Sequence, residues 1–260
     1  MEARSFAFTV VLVCMGILLF AGVAGAAEIK VMISGGFSAA HEELAREFER
    51  KTGNKIVTIY GASMGSTPDA IPNRIQRGEP VDVVIMVGYA LGDLIKQGKV
   101  VADSRVDLAQ SGVGMAVRAG APKPDISSVE AFKQTLLKAK SIAYSDSASG
   151  VYVSTKLFPR LGIADQMKGK SRMIPAEPVG RVVARGEAEI GFQQMSELRP
   201  ISGIDIVGPL PPELQNMTVF STGLVSSSKE PQAAKAYIKF ISSPAAAPVI
   251  NKTGMEAMAK

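Results

Sequence analysis

The chain has 260 residues, 47% of them hydrophobic, with a formal charge of +5 and a pI near 9.3, apolar material enough for one large domain or two small ones. One cysteine and one histidine exclude a disulfide framework and thiolate metal sites. The modest positive excess favours small anions by long-range attraction, whereas Lys and Arg scattered among acids, with 6% aromatic residues, lack the stacking platforms of a nucleic-acid binder.

Residues 1–26 read as a secretory signal peptide. Arg4 precedes an apolar run from Phe6 to Phe20, and Ala24-Gly25-Ala26 is a small-x-small cleavage signal. The run is short for a spanning helix. Cys14 lies inside it, not at its end where a lipoprotein cysteine belongs. The expectation is a periplasmic monomer of roughly 234 residues without stable membrane insertion.

A strand is predicted over Glu28–Ile33, then a turn, then a helix that Ser38 would cap and Gly53 would end. Its apolar stripe is Ala40, Leu44, Ala45 and Phe48. Lys55–Tyr60 is the second strand. The small-residue loop Gly61–Ser66 feeds a helix starting at Thr67, Pro68 and Asp69, and Val81–Val87 reads as a buried parallel strand. A loop of this kind at a helix start leaves backbone N–H groups free to hold an anion; a plain strand–turn–helix connection is the simpler alternative. Further on come a helix at Ala90–Gly98, a strand at Val113–Arg118 and a helix capped by Ser128. A strand at Ser141–Tyr144 precedes a helix at Val151–Leu161; a helix at Pro178–Arg185 and a strand ending near Phe192 follow. Thr218–Val225 is a returning strand, and Pro231–Ile241 and Pro244–Lys252 are helices. The alternation of strands and helices predicts doubly wound parallel sheets.

Several motifs in order resemble the periplasmic molybdate-binding-type solute-binding proteins of ABC transporters. They are Ser34-Gly35-Gly36-Phe37-Ser38, the loop at 61–66, Gly78-x-Pro80-x-Asp82, Ser149-Gly150-x-Tyr152, Gly186-Glu187-Ala188 with Gly191, and the closing 233–255 segment. The resemblance implies an α/β, two-lobe periplasmic binding protein fold (type II), each lobe a mostly parallel sheet flanked by helices, with ligand in the cleft between. Lobe 1 would be 27–111 plus 220–260 and lobe 2 would be 112–219. It also implies a small anionic ligand, an ABC permease as partner and no cofactor.

The resemblance points to Gly36, Phe37, Ser38, Ser63, Met64, Ser66, Ser149, Gly150 and Gln194 as ligand-binding positions. Gly36 and Gln194 stand where the molybdate binders use Ser and Tyr hydroxyls, and Met64 adds adaptable apolar surface. These departures favour an organic di- or tricarboxylate over a tetrahedral oxyanion, with Arg74 as a bidentate partner or else an exposed helical arginine. They resemble the branch of the family that includes periplasmic aconitate isomerase. The expected function is solute capture, on the base rates of the fold, with interconversion of cis- and trans-aconitate on the same scaffold as the alternative. The alternative needs an acid–base group. His41, in the first turns of a helix expected to face the cleft, is the candidate if the chain is an isomerase, and a surface histidine otherwise. Glu79, Asp146, Tyr152 and Glu197 are further candidates.

Overall fold

The computed structural model describes residues 26–258, so the predicted leader up to residue 25, with Cys14, lies outside the described residues. Three parallel strands open the fold: β1 (Glu28–Ile33), β2 (Lys55–Tyr60) and β3 (Val83–Val87), with β1 between the other two. All five residues of β3 are buried, as a strand covered on both faces demands. Helices α1 (Gly35–Thr52), α2 (Ile71–Gln76) and α3 (Gly88–Lys96) alternate with them. Gly53 takes φ 77° to end α1, a conformation that costs glycine nothing.

The long strand β4 (Val106–Arg118) then crosses between two parts of the sheet. Up to Gly112 it runs antiparallel to β9 (Met217–Leu224), and β10 (Glu256–Ala257) lies along Ala109–Gln110. From Val113 onward it pairs instead with β7 (Ile190–Gln194) and, from Gly114, with β8 (Ile204–Pro209). Between these partners come α4 (Val129–Lys138), β5 (Ile142–Ser145) and α5 (Ala148–Tyr152). A π-helical turn at Val153–Leu157 leads from α5 into α6 (Phe158–Arg160), where Pro159 offers no N–H. The rest are α7 (Ala164–Met167), β6 (Ser171–Ile174), α8 (Val179–Ala184), α9 (Met195–Leu198), α10 (Pro231–Ile241) and α11 (Ala247–Lys252). The whole is the two-lobe α/β fold of a type II periplasmic binding protein, a curled sheet flanked by helices.

The apolar core divides at the crossing strand. Ile29, Phe37, Phe48, Leu108, Phe220, Tyr237 and Ile241 belong to one cluster, and Val113, Phe132, Leu157 and Phe192 to another. Asp82 fastens the first. It is 4% exposed and accepts the Lys30 N–H (2.9 Å), the Ser228 hydroxyl (2.7 Å) and the N–H groups of Lys229 and Glu230 (3.0 and 3.2 Å). One carboxylate thus ties β1 to the start of α10 and accounts for the aspartate of the Gly-x-Pro-x-Asp motif.

Several sequence expectations shift. Ser34 takes the cap position of α1, and the Ser38 hydroxyl donates back to the Gly35 carbonyl at 2.7 Å. The helix expected at Thr67 starts at Ile71. Strand β4 begins well before Val113, because its first half finds β9 as partner. Ser128 does cap α4, accepting the Ala131 N–H at 3.1 Å. Among the described residues no helix is long and apolar enough to cross a membrane, and no group of three or more His, Cys, Asp or Glu could hold a metal ion.

Candidate functional site

A cavity of about 660 Å³ opens at the C-terminal ends of β1, β3, β5 and β7, the usual ligand position in open parallel sheets and a size suited to a small molecule. One wall is Ser34–Gly36, Ser38, Glu42 and Tyr60, from β1, α1 and β2. The facing wall is Ser145–Ser149, Ala176–Pro178, Arg181, Gln193, Gln194 and Glu197, and Phe220 of β9 joins the lining. The walls come from the two sides of the crossing strands, so relative motion about β4 and β9 would open or close the cavity.

Glu197 is the chemically distinctive group. It is the third residue of α9, placed so that its carboxyl reaches back to the N–H of Gln194, as an N3 glutamate does in a capping box. Gln193 also bonds the carboxyl. The Gln193 amide oxygen is itself fixed by the Val179 N–H at 2.8 Å. The carboxyl lies against Gly35 of α1, where any side chain would collide with it. Burial pushes the Glu197 pKa up to about 7; the bonds from Gln193 and Gln194 oppose the rise, and the nearby Asp146 adds to it. A carboxyl poised there can both take and give a proton near neutral pH.

Asp146 is raised as well, first by burial and further by the charge of Asp69. It accepts the N–H of Ala176 at 3.4 Å. Ala176 has φ 58°, the one non-glycine residue with positive φ among the described residues. It sits in the cavity wall, where strained backbone tends to be functional. The lining holds five acids (Glu42, Asp69, Asp146, Glu177 and Glu197) against one guanidinium, that of Arg181.

The structure brings some expected residues together and sets others apart. Gly36, Ser38, Ser149 and Gln194 line the cavity. The Ser149 hydroxyl pairs with that of Ser145 at 2.9 Å. Gly150 lies just behind, pressed so close to the Ser145 carbonyl that a Cβ has no room. The Gln194 amide holds the crossing strands, its oxygen toward the Thr218 hydroxyl (2.9 Å) and its nitrogen toward the Ser111 carbonyl (2.9 Å). Phe37 is a core residue, fully buried. Ser63 is buried too, with its hydroxyl accepting the Val87 N–H at 3.0 Å. Met64 packs beside the first apolar cluster and takes a hydrogen bond from the Tyr89 hydroxyl at 3.3 Å, and Ser66 faces solvent. Arg74 is paired with Glu79 at 2.6 Å, outside the cavity lining, so neither is free for a ligand or for acid–base work. Tyr152 donates to the Leu214 carbonyl at 2.6 Å.

His41 does not face the cleft. The spacing Phe37, His41, Leu44, Phe48 turns it into the core while Ser38 and Glu42 line the cavity. It is fully buried, bonded to the Tyr237 hydroxyl through Nδ1 (2.7 Å) and to the Thr58 hydroxyl through Nε2 (2.8 Å). Burial lowers its pKa to about 4. This group is disfavoured as a cation in the folded state, so its stabilising contribution is complete above pH 6.5 and is lost as pH falls toward about 4. His41→Ala is expected to cost about 2–4 kcal/mol through the cavity and two orphaned hydroxyls. Thermal melts at neutral pH check it.

Arg181, Phe220 and Glu42 are lining residues that the sequence reading missed. Arg181 is signalled by its place one turn into the helix after Ala176-Glu177-Pro178; the other two carry no local signal.

Comparison with known proteins agrees with this fold. The profile of the bacterial extracellular solute-binding protein family matches residues 29–256. A Pseudomonas protein named aconitate isomerase is 55% identical over 228 residues, covering 88% of this chain and 87% of its own. The molybdate-binding protein ModA of Azotobacter vinelandii is 28% identical over 261 residues, covering 96% and 98%. In solved structures, the periplasmic molybdate-binding protein of the same organism superposes with a TM-score of 0.70 at 22% identity, covering 87% of this chain and 98% of that one. A match over nearly the whole described fold places this chain in the bacterial extracellular solute-binding protein family.

Proposed function

We propose that the protein is an isomerase that binds a tricarboxylate in the cleft and interconverts cis- and trans-aconitate. The observation that carries this reading is the 55% identity, across both lobes, to a protein named aconitate isomerase. Within the cavity, Glu197 supplies the acid–base group the reaction needs, and Arg181 is the one cation set against the five acids of the lining. Ionised Glu197 takes a proton from the methylene carbon of the ligand. The double bond shifts along the three-carbon unit. The same carboxyl, now protonated, returns a proton to the former vinyl carbon. Nothing is oxidised or reduced and no proton is lost, so the step needs no co-reactant.

Binding in this reading falls to Arg181, to the serine pair Ser145–Ser149 and to backbone N–H groups at the start of α1. The lobes would be 27–111 plus 220–260 and 112–219, and the working location the periplasm. Arg181→Ala is expected to raise KM at least tenfold with little change in kcat, since the lining offers no other guanidinium or ammonium for a ligand carboxylate. Steady-state kinetics on cis-aconitate checks it.

The second reading, capture of an anion for delivery to an ABC permease, is favoured by the relationship to ModA over 98% of that protein. Incubating the purified protein with cis-aconitate and following the trans isomer by chromatography separates the two. Conversion well above a protein-free control supports the isomerase; binding without conversion supports the carrier.

A further inference from the structure

We propose that Phe220 sets the ligand class of the cleft, with Gly36 as the residue that makes room for it. The inference rests on the carboxylate reading above and deepens it by naming what selects the ligand. Phe220 belongs to β9, one of the two strands that cross between the halves of the sheet, and is 3% exposed. Its ring lines the cavity beside Gly36, Val87 and Ala148. It shares the first apolar cluster with Ala148, the opening residue of α5 on the facing wall. A Cβ built on Gly36 would collide with the outer edge of the Phe220 ring. A side chain at 36 and the ring at 220 therefore compete for one volume, and this chain gives it to the ring.

The consequence is chemical. Between the starts of α1 and α5 the cavity presents a hydrocarbon ring at the place a side chain at 36 would fill, with the serine hydroxyls of Ser34 and Ser38 on one wall and Ser145 and Ser149 on the other. A compact tetrahedral oxyanion needs a donor on every side, and each unmet oxygen weakens its binding. A branched carboxylate can lay its carbon skeleton on the ring and send its charged oxygens to Arg181 and the serine pair. The ring also stands on a crossing strand, so it keeps its place whichever wall moves. Phe220 is in this account a specificity-determining residue that acts by shape and by lack of polarity, not by proton transfer.

Calorimetry on wild type, Phe220→Leu and the double variant Gly36→Ser/Phe220→Ala tests it, with cis-aconitate, trans-aconitate, sulfate and molybdate as titrants and melts to confirm folding. Phe220→Leu retains apolar bulk, so it stays informative if the double variant does not fold. The expected results are a loss of about tenfold or more in aconitate affinity in Phe220→Leu, and molybdate or sulfate binding in the double variant where the wild type shows none. Aconitate affinity within twofold of wild type in a folded Phe220→Leu would overturn the inference and leave the proposed function standing. A wild type that binds molybdate or sulfate and no carboxylate would overturn the proposed function itself, and the inference with it.

Discussion

Glu197→Gln is expected to lower turnover of cis-aconitate by a factor on the order of 10²–10⁴, the usual worth of a positioned acid–base group, with KM changed little. Glutamine keeps the shape of the side chain and can still meet the Gln194 N–H, but it carries no exchangeable charge. In the wild type, kcat/KM should rise with pH through about 7, where Glu197 becomes the carboxylate that accepts the proton. A bound polyanion raises that pKa further, so the corresponding step in kcat should lie at higher pH. Both steps should vanish in the variant. Stability moves in the opposite direction. The folded-state pKa of Glu197 lies above its ordinary value of 4.5, so its contribution is complete below pH 4.5 and is lost as pH rises through about 7. At about 1.4 kcal/mol per unit, at most about 3 kcal/mol is at stake across that window, and less because Glu197 is partly exposed to the cavity. Glu197→Gln should therefore melt higher than wild type at pH 8 while turning over far more slowly. Catalytic groups commonly trade stability in this way.

Asp82→Ala is expected to show the converse, a loss of about 3–5 kcal/mol of stability without a specific loss of chemistry. The substitution strands the N–H groups of Lys30, Lys229 and Glu230 and the Ser228 hydroxyl around a carboxylate that is almost fully buried. Asp82→Asn keeps one acceptor oxygen and should cost less. Burial alone would raise the Asp82 pKa, but the bonds from Lys30, Ser228, Glu230 and Lys229 outweigh it and hold the group below its ordinary 3.8. This contribution is therefore present above pH 3.8 and fades as pH falls below it. Asp82 lies outside the cavity lining, so protein folded at low temperature should turn over normally. Denaturant melts beside kinetics separate the two effects.

Much of the frame was legible in the sequence. The bounds predicted for β1, β2 and α10 are those observed, since each is an uninterrupted apolar pattern between turn residues or opens on a proline. Val81–Val87 announced β3 by its continuous β-branched character. The small strands β6 and β8 escaped because their residues are half exposed and their pairing partners lie far along the chain. The site was legible as a set of loops but not as a set of side chains. Four of the ten predicted binding residues line the cavity: Gly36, Ser38 and Ser149 in first turns of helices that follow parallel strands, and Gln194 at the end of β7. Arg74 failed because Glu79, close by in sequence, was free to pair with it. His41 failed because helix phase, more than nearness to the helix start, decides which way a side chain points. Phe220 was invisible because its meaning depends on Gly36, which only the crossing of β9 brings near it.

The central claim is that the cleft moves a proton along the carbon skeleton of aconitate. It is tested most directly by proton NMR of cis-aconitate incubated with the purified protein in heavy water. The account predicts growth of trans-aconitate resonances at a rate proportional to protein concentration, abolished in Glu197→Gln, with exchange confined to the carbon positions of the allylic unit. Saturable binding of cis-aconitate with a spectrum that stays unchanged would contradict it.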